Sequence, residues 1–135
     1  MGRVRRLLGL LLLPLLLVGC SDPGSALSRA ESTGVLTVGV VENPPGTVAK
    51  ESGEVSGPDA ERISSYADSI GAHPTWQVGE LDALADAVGR GEVDVIIGAD
   101  ESADGLVATS GSVALVGEEE TPLKESIDAW STDQE

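Results

Sequence analysis

The chain has 135 residues, of which 23 are acidic and eight are basic, so its net charge at pH 7 is −15. A protein this acidic is not expected to bind nucleic acid, because phosphate groups are bound by clusters of Lys and Arg. Adhesion to anionic lipid headgroups is disfavoured for the same reason. The charge instead favours a soluble exported protein over a site for a specific cation.

The first twenty residues predict export and lipid anchoring. Three arginines within residues 1–6 precede the apolar run of residues 7–18. A basic segment followed by roughly 7–15 apolar residues is a secretory signal, too short to remain as a membrane-spanning helix. The segment LVGC, Leu17 to Cys20, resembles the lipobox of bacterial lipoproteins, in which the cysteine is diacylated and becomes the new N-terminus. An ordinary signal peptide with a chance cysteine is the alternative.

Cys20 is the only cysteine in the sequence, so it cannot form an intrachain disulfide. We predict a signal peptide at residues 1–19 and a Cys20 that is joined to membrane lipid. The protein would then be lipid-anchored on the extracytoplasmic face of the cell membrane. Residues 20–33 are predicted to be the lipidated cysteine and a flexible tether, because their Ser, Pro, Gly and charged side chains cannot bury a core.

Residues 34–135 are enough for one small domain with a modest core. Apolar periodicity and Gly or Pro boundaries predict its elements in this order: strand Val35–Val41, a loop with Pro44-Pro45-Gly46, a helix that begins at Pro58 and ends before Gly71, strand Pro74–Val78, a helix from Leu81 that stops at Gly89, strand Val93–Gly98, one or two strands within residues 106–117, and a last helix that starts at Thr121. Strands that alternate with helices predict right-handed crossovers. The expected fold is therefore α/β, with a mostly parallel sheet flanked by helices.

Five sequence features follow one another in a characteristic order. They are G-x-L-x-V-G at residues 34–39, the Pro44-Pro45 pair, G-x-D-x-E at residues 57–61, Trp76, and the strand with Gly91, Asp94, Ile96 and Ile97. Together they resemble extracellular solute-binding protein family 3, the lipid-anchored receptors of ABC importers for polar amino acids. The resemblance covers residues 34–100 and returns in residues 113–130. It implies a single lobe of a type 2 periplasmic-binding-protein-like fold, small-molecule binding in transport, and an ABC permease or another envelope protein as partner.

The sequence departs from the family where the ligand would bind. Family members have two lobes that close on the ligand, and residues 34–135 have room for one. Gly46 replaces an aromatic that stacks on the ligand, and the loop of residues 99–105 has three acids where the family has an arginine that clamps the α-carboxylate. Ordinary amino acids are therefore not expected to bind. A cationic or neutral ligand would be held by Glu42, Asn43, Asp59, Asp100 and Ser102.

Catalytic and metal-binding patterns are not evident. His73 is the sole histidine, and no Ser-His-Asp set, Cys/His cluster or phosphate-cradling glycine loop occurs. Asp100, Glu101 and Asp104 offer carboxylates of the kind that Ca²⁺ prefers, but their spacing does not match an EF-hand. We therefore expect no enzyme, no cofactor and no metal. The alternative to a transport-related binding module is a single-lobe accessory lipoprotein of a transport or envelope complex that binds no solute, since half a cleft buries little ligand surface.

Replacement of Cys20 by Ala should release the protein from the membrane or leave an uncleaved precursor, because the acyl chains provide the anchor. Palmitate labelling and membrane fractionation would measure both effects. Ser21→Ala, at the neighbouring position, is the matched control and should behave like the wild type. If Cys20→Ala kept its label and its place in the membrane fraction, the lipoprotein prediction would be wrong.

Overall fold

A computed structural model describes residues 25–134, so the predicted signal peptide and Cys20 lie outside the described residues. The helices and strands, in chain order, are α1 Ala26–Thr33, β1 Val35–Val40, β2 Val48–Ala49, β3 Val55–Ser56, α2 Pro58–Ser69, β4 His73–Val78, α3 Leu81–Gly89, β5 Val95–Ile97, β6 Leu106–Ala108, β7 Leu115–Gly117 and α4 Thr121–Asp133. Within residues 25–134, no helix has both the length and the apolar character needed to cross a membrane.

The main sheet has five strands in the order β4-β1-β5-β7-β6. Strand β1 pairs in parallel with β4 on one side and with β5 on the other, with Val38 opposite both Trp76 and Val95. Strand β7 is antiparallel to both β5 and β6, so four of the five strands point the same way. The predicted α/β class is confirmed, and the first and third predicted strands lie side by side as β1 and β5.

Alternation along the strands sends apolar side chains to both faces of the sheet. Val95 and Ile97 of β5 face the larger core, where Ile63 and Tyr66 of α2 and the apolar residues of α4 pack. Ile96 faces the smaller core, which contains Leu84 of α3. The sheet is therefore the middle of three layers, with α1, α2 and α4 on one side and α3 on the other.

Helix α1 corrects the predicted flexible tether over residues 26–33, and residues 20–24 lie outside the described residues. Ser25 caps the helix by accepting a hydrogen bond from the backbone N–H of Ser28 at 3.0 Å, and Gly34 ends it in a left-handed conformation. Ala26 and Ala30, one turn apart, are buried in the larger core. The composition of residues 20–33 predicts no core, because most of these residues are small or polar. Two alanines on one helical face are nevertheless enough to pack the short helix α1 against α4.

Asp94 joins α1 to the start of β5. Its backbone N–H donates to the Thr37 carbonyl at 2.9 Å, while its carboxylate accepts from the Thr37 N–H at 2.8 Å and lies 3.3 Å from the Arg29 guanidinium. The carboxylate thus takes the place of a backbone partner of Thr37 just before β5 begins, and β5 is shorter than the predicted Val93–Gly98. Burial raises the pKa of Asp94 and outweighs these hydrogen bonds, so the contribution of this group to stability falls as pH rises above the ordinary Asp range.

The predicted loop of residues 42–57 has more structure than expected. Strands β2 and β3 form a small antiparallel hairpin, in which Val48 is opposite Ser56 and Ala49 is opposite Val55. The Pro44-Pro45 bond before it is cis. Two-residue strands leave no periodic pattern in a sequence, so the hairpin could not be found from residue spacing.

Ile96→Asp should unfold the domain, because Ile96 is fully buried and an unpaired buried carboxylate costs several kcal/mol against a typical total of about 5–15 kcal/mol. Ile96→Val is the matched control and should cost only about 0.5–1.5 kcal/mol. Thermal unfolding followed by circular dichroism would measure both. An Ile96→Asp protein that melted like the wild type would contradict the burial of this side chain.

Candidate functional site

A cleft of about 340 Å³ opens at the edge of the sheet where β1 and β5 end. In sheets built from parallel strands, ligands bind at the carboxyl ends of the strands, where the connecting loops separate. Four of the five predicted ligand-binding residues line this cleft: Asn43, Asp59, Asp100 and Ser102. Glu42, the fifth, lies instead in a smaller pocket that shares Asn43 and Asp100 with the cleft. Four of the five residues thus lie together, and the binding role of all five stays a prediction.

Asn43 connects the two segments that form the floor of the cleft. Its side-chain amide donates to the carbonyl of Gly98 at 3.0 Å and to the Asp100 carboxylate at 2.7 Å. Gly98 itself has φ 87°, and a Cβ at this position would overlap the carbonyl oxygen of Val41. The floor is therefore made of closely packed backbone, and the Asp100 side chain is oriented before any ligand arrives.

Besides the floor, a second side of the cleft is formed by Asp59, which lies in the first turn of α2. Its carboxylate accepts a hydrogen bond from the Thr47 hydroxyl at 2.7 Å, and its backbone N–H donates to the carbonyl of Gly46 at 3.1 Å. A Cβ on Gly46 would lie 2.8 Å from the same carboxylate. Even the first side-chain atom of another residue after the Pro-Pro pair would thus meet the Asp59 carboxylate.

The third wall comes from the connection between β6 and β7. Ala108, Ser112, Val113, Ala114 and Leu115 line it. Because β7 is antiparallel to β5, the start of β7 lies at the same edge as the end of β5. This wall is mostly apolar, apart from Ser112.

The three acids of the β5 exit loop do not converge. Asp100 and Glu101 line the cleft, whereas Asp104 lies at the opposite edge of the sheet beside the acidic residues 118–120. The reason is topological: β6 runs parallel to β5, so the loop must cross the sheet before β6 begins. The expectation that all three acids replace the clamping arginine is wrong for Asp104. Within residues 25–134, no group of three or more His, Cys, Asp or Glu could hold a metal ion.

Sequence reasoning missed Thr47 and Ser112. Thr47 is fully buried behind Asp59, although it follows a Pro-Pro-Gly segment that predicts an exposed loop. Ser112 belongs to a connection that residue spacing left between two uncertain strands. Neither position belongs to a periodic pattern, so no sequence signal pointed to them.

Among solved structures, the chain is similar to domain 1 from TmArgBP in its arginine-bound form. The TM-score is 0.66 at 21% identity, and the match covers 78% of this chain and 97% of that chain. A single-residue mutant of that domain, also arginine-bound, gives a TM-score of 0.69 and covers 81% of this chain and 98% of that one. An ABC uptake transporter substrate binding protein from Streptococcus pneumoniae with bound histidine gives 0.56 at 19% identity, covering 66% of this chain and 38% of that one. The likeness shows the fold, a single lobe of the periplasmic-binding-protein-like kind.

Sequence comparison adds a different kind of relative. No family model matches the chain. Two curated proteins named membrane-bound lytic murein transglycosylase F, from two strains of Vibrio cholerae serotype O1, are 38% identical over an alignment of 98 residues, and the match covers 67% of this chain. This chain spans 18% of their length. Since these relatives are named as enzymes and the structural neighbours as binding proteins, the two comparisons differ on the expectation that the protein is not an enzyme.

Gly46→Tyr should destabilise the domain by about 1–3 kcal/mol, because the new side chain collides with the Asp59 carboxylate. Asp59→Ala in the same protein should restore much of that loss by clearing the space. Urea unfolding of the wild type, both single variants and the double variant would give the coupling energy between the two positions. Strictly additive effects would show that the two positions do not compete for the same space.

Proposed function

We propose that the protein is a solute-binding module of a transport system whose cleft takes a small cationic or neutral molecule. The observation that carries the proposal is the cleft at the ends of β1 and β5, lined by Asn43, Asp59, Asp100 and Ser102. Its volume of about 340 Å³ falls in the usual range for small-molecule pockets. The mixture of apolar and polar walls is also typical of such sites.

The charges around the cleft support the choice of ligand. Asp59, Asp100 and Glu101 line it, and none of its described lining residues is Lys or Arg. A ligand's carboxylate would be repelled there, whereas an ammonium or guanidinium group could form charge-assisted hydrogen bonds with the acids. The net charge of −15 adds a general attraction for cations.

A single lobe can suffice for such binding in at least one similar protein. Domain 1 from TmArgBP is known in an arginine-bound form, and 97% of that chain is covered by the match to this one. The objection that half a cleft buries too little ligand surface is therefore weakened. The ligand of that domain carries a guanidinium group, which is the chemistry that the acidic cleft favours here.

The proposed location is the extracytoplasmic face of the cell membrane. Residues 1–19 would be removed as a signal peptide, Cys20 would carry membrane lipid, and residues 20–24 would connect the anchor to Ser25, where α1 is capped. An ABC permease or another envelope protein would be the partner. The described domain would act as a receptor held close to the transporter.

A second candidate is an accessory lipoprotein of an envelope complex that binds no solute. The likeness to membrane-bound lytic murein transglycosylase F favours it, since those relatives are named as membrane-bound proteins that act on murein. In this case the cleft would be vestigial, and the domain would act through a surface contact with a partner protein.

Agmatine and arginine form a matched pair of ligands, because agmatine has the same guanidinium group but no carboxylate. Agmatine should bind the mature protein at least about tenfold more tightly than arginine, a difference of about 1.4 kcal/mol. Standard amino acids should bind more weakly than about 1 μM, since no arginine is present to clamp their carboxylate. Titration calorimetry with amino acids, agmatine, putrescine and divalent ions would measure these affinities.

Two charge-matched variants locate the site. Asp100→Asn should weaken agmatine binding, whereas Asp104→Asn, which removes the same charge at the opposite edge of the sheet, should not. Tight binding of glutamate or glutamine would contradict the expectation that the cleft repels a ligand's carboxylate. Absence of binding across the whole panel would instead favour the accessory lipoprotein.

A further inference from the structure

The wall of the cleft between β6 and β7 contains an unusual backbone conformation. Ser112 has φ 52°, and it is the one non-glycine residue between positions 25 and 134 with a positive φ. It follows Gly111, with φ 70°, in the short 3-10 turn Ser110–Ser112. Residues with a side chain rarely adopt this conformation, and they keep it where the surroundings impose it, often at ligand sites.

Charged side chains of two helices hold this turn in place. The carboxylate of Asp128 on α4 accepts a hydrogen bond from the backbone N–H of Ser110 at 2.6 Å, and its other oxygen pairs with Lys124 at 2.7 Å. Arg62 of α2 donates to the carbonyl of Gly111 at 3.1 Å. The hydrogen bonds from Lys124 and then Ser110 keep the pKa of Asp128 below its ordinary value, so the group is charged at neutral pH.

The residues on either side of the turn, Thr109 and Ala114, are hydrogen-bonded to each other. The hydroxyl of Thr109, a buried residue, accepts from the backbone N–H of Ala114 at 3.1 Å, and the Thr109 N–H donates to the Ala114 carbonyl at 2.9 Å. Hydrogen bonds between Thr109 and Ala114 therefore fix both ends of the segment that connects β6 to β7. Asp128 and Arg62 hold the middle of this segment against α4 and α2. Ser112, which is exposed, lines the cleft.

We propose that the turn Ser110–Ser112 is a ligand-contacting wall of the cleft, in which Ser112 contacts the ligand and Asp128 is a positioning residue. The inference rests on the proposed function, and it adds residues that the acidic floor does not include. A serine hydroxyl can accept a hydrogen bond from an ammonium or guanidinium group and can also donate one. The wall would therefore complement Asp100 with a neutral polar contact to the same ligand.

Substitutions at position 112 separate the contact from the fold. Ser112→Ala should weaken agmatine binding by about two- to tenfold, the effect of one lost hydrogen bond. Ser112→Gly should weaken it similarly but raise the melting temperature, because glycine adopts a positive φ without strain. A purely structural serine would not produce lower affinity together with higher stability.

Substitutions at position 128 test the positioning role. Asp128→Ala should weaken agmatine binding and accelerate amide hydrogen exchange at Ser110, whose N–H loses its partner. Asp128→Asn keeps an oxygen acceptor and should restore most of both properties, which would exclude simple attraction between the ligand and the carboxylate charge. Glu125→Ala, an exposed charge on the same helix, is the control and should change neither.

The outcomes distinguish this inference from the proposed function. If the wild type binds agmatine and both Ser112 variants bind it equally well, the contact role is overturned. If Asp128→Ala leaves Ser110 exchange and affinity unchanged, the positioning role is overturned. If the wild type binds no member of the ligand panel, the proposed function fails, and the contact role fails with it.

Discussion

The parallel pairing of β1 with β5 is the constraint on which the rest of the structure depends. It brings residues near positions 40 and 97 side by side, and it places the ends of both strands at one edge of the sheet. Asn43 can then bridge to Gly98 and Asp100, because each lies just beyond a paired strand. At the other end of the pair, Asp94 replaces a backbone partner of Thr37 and connects the sheet to α1. The cleft and the N-terminal helix are thus fixed by the same pair of strands.

Sheet direction also decides which acidic side chains act together. Asp100 and Asp104 are four positions apart in the sequence, yet the crossing of the loop from β5 to β6 sends them to opposite edges. The charge that could influence a ligand is therefore smaller than the sequence suggests, and it is concentrated in Asp59, Asp100 and Glu101. The cleft therefore has its own group of three acidic side chains, distinct from the acidic residues elsewhere on the surface.

Much of the fold could be predicted from the sequence, because strands and helices such as β1 and α2 combine clear apolar periodicity with Gly or Pro boundaries. Helix α1 could not, since its buried face consists of two alanines among polar residues. Four of the five proposed site residues do meet in one cleft. Thr47 and Ser112 were missed because their roles depend on a hydrogen bond to a distant residue and on a backbone angle, and neither leaves a pattern in the sequence.

The contact between the first and last helices affects how the chain can fold. The backbone N–H of Ala26 donates to the Glu120 carboxylate at 2.8 Å, across 94 positions of sequence, and α1 packs along α4. Strand β1 also pairs with β5, which is distant in the sequence. Contacts between distant parts of the chain slow folding relative to a helical protein of the same size. A partly synthesised chain would leave the alanine face of α1 and the ring of Tyr66 without cover. Such a chain cannot complete the larger core until α4 is available, because Leu123 and Ile127 of α4 form part of it.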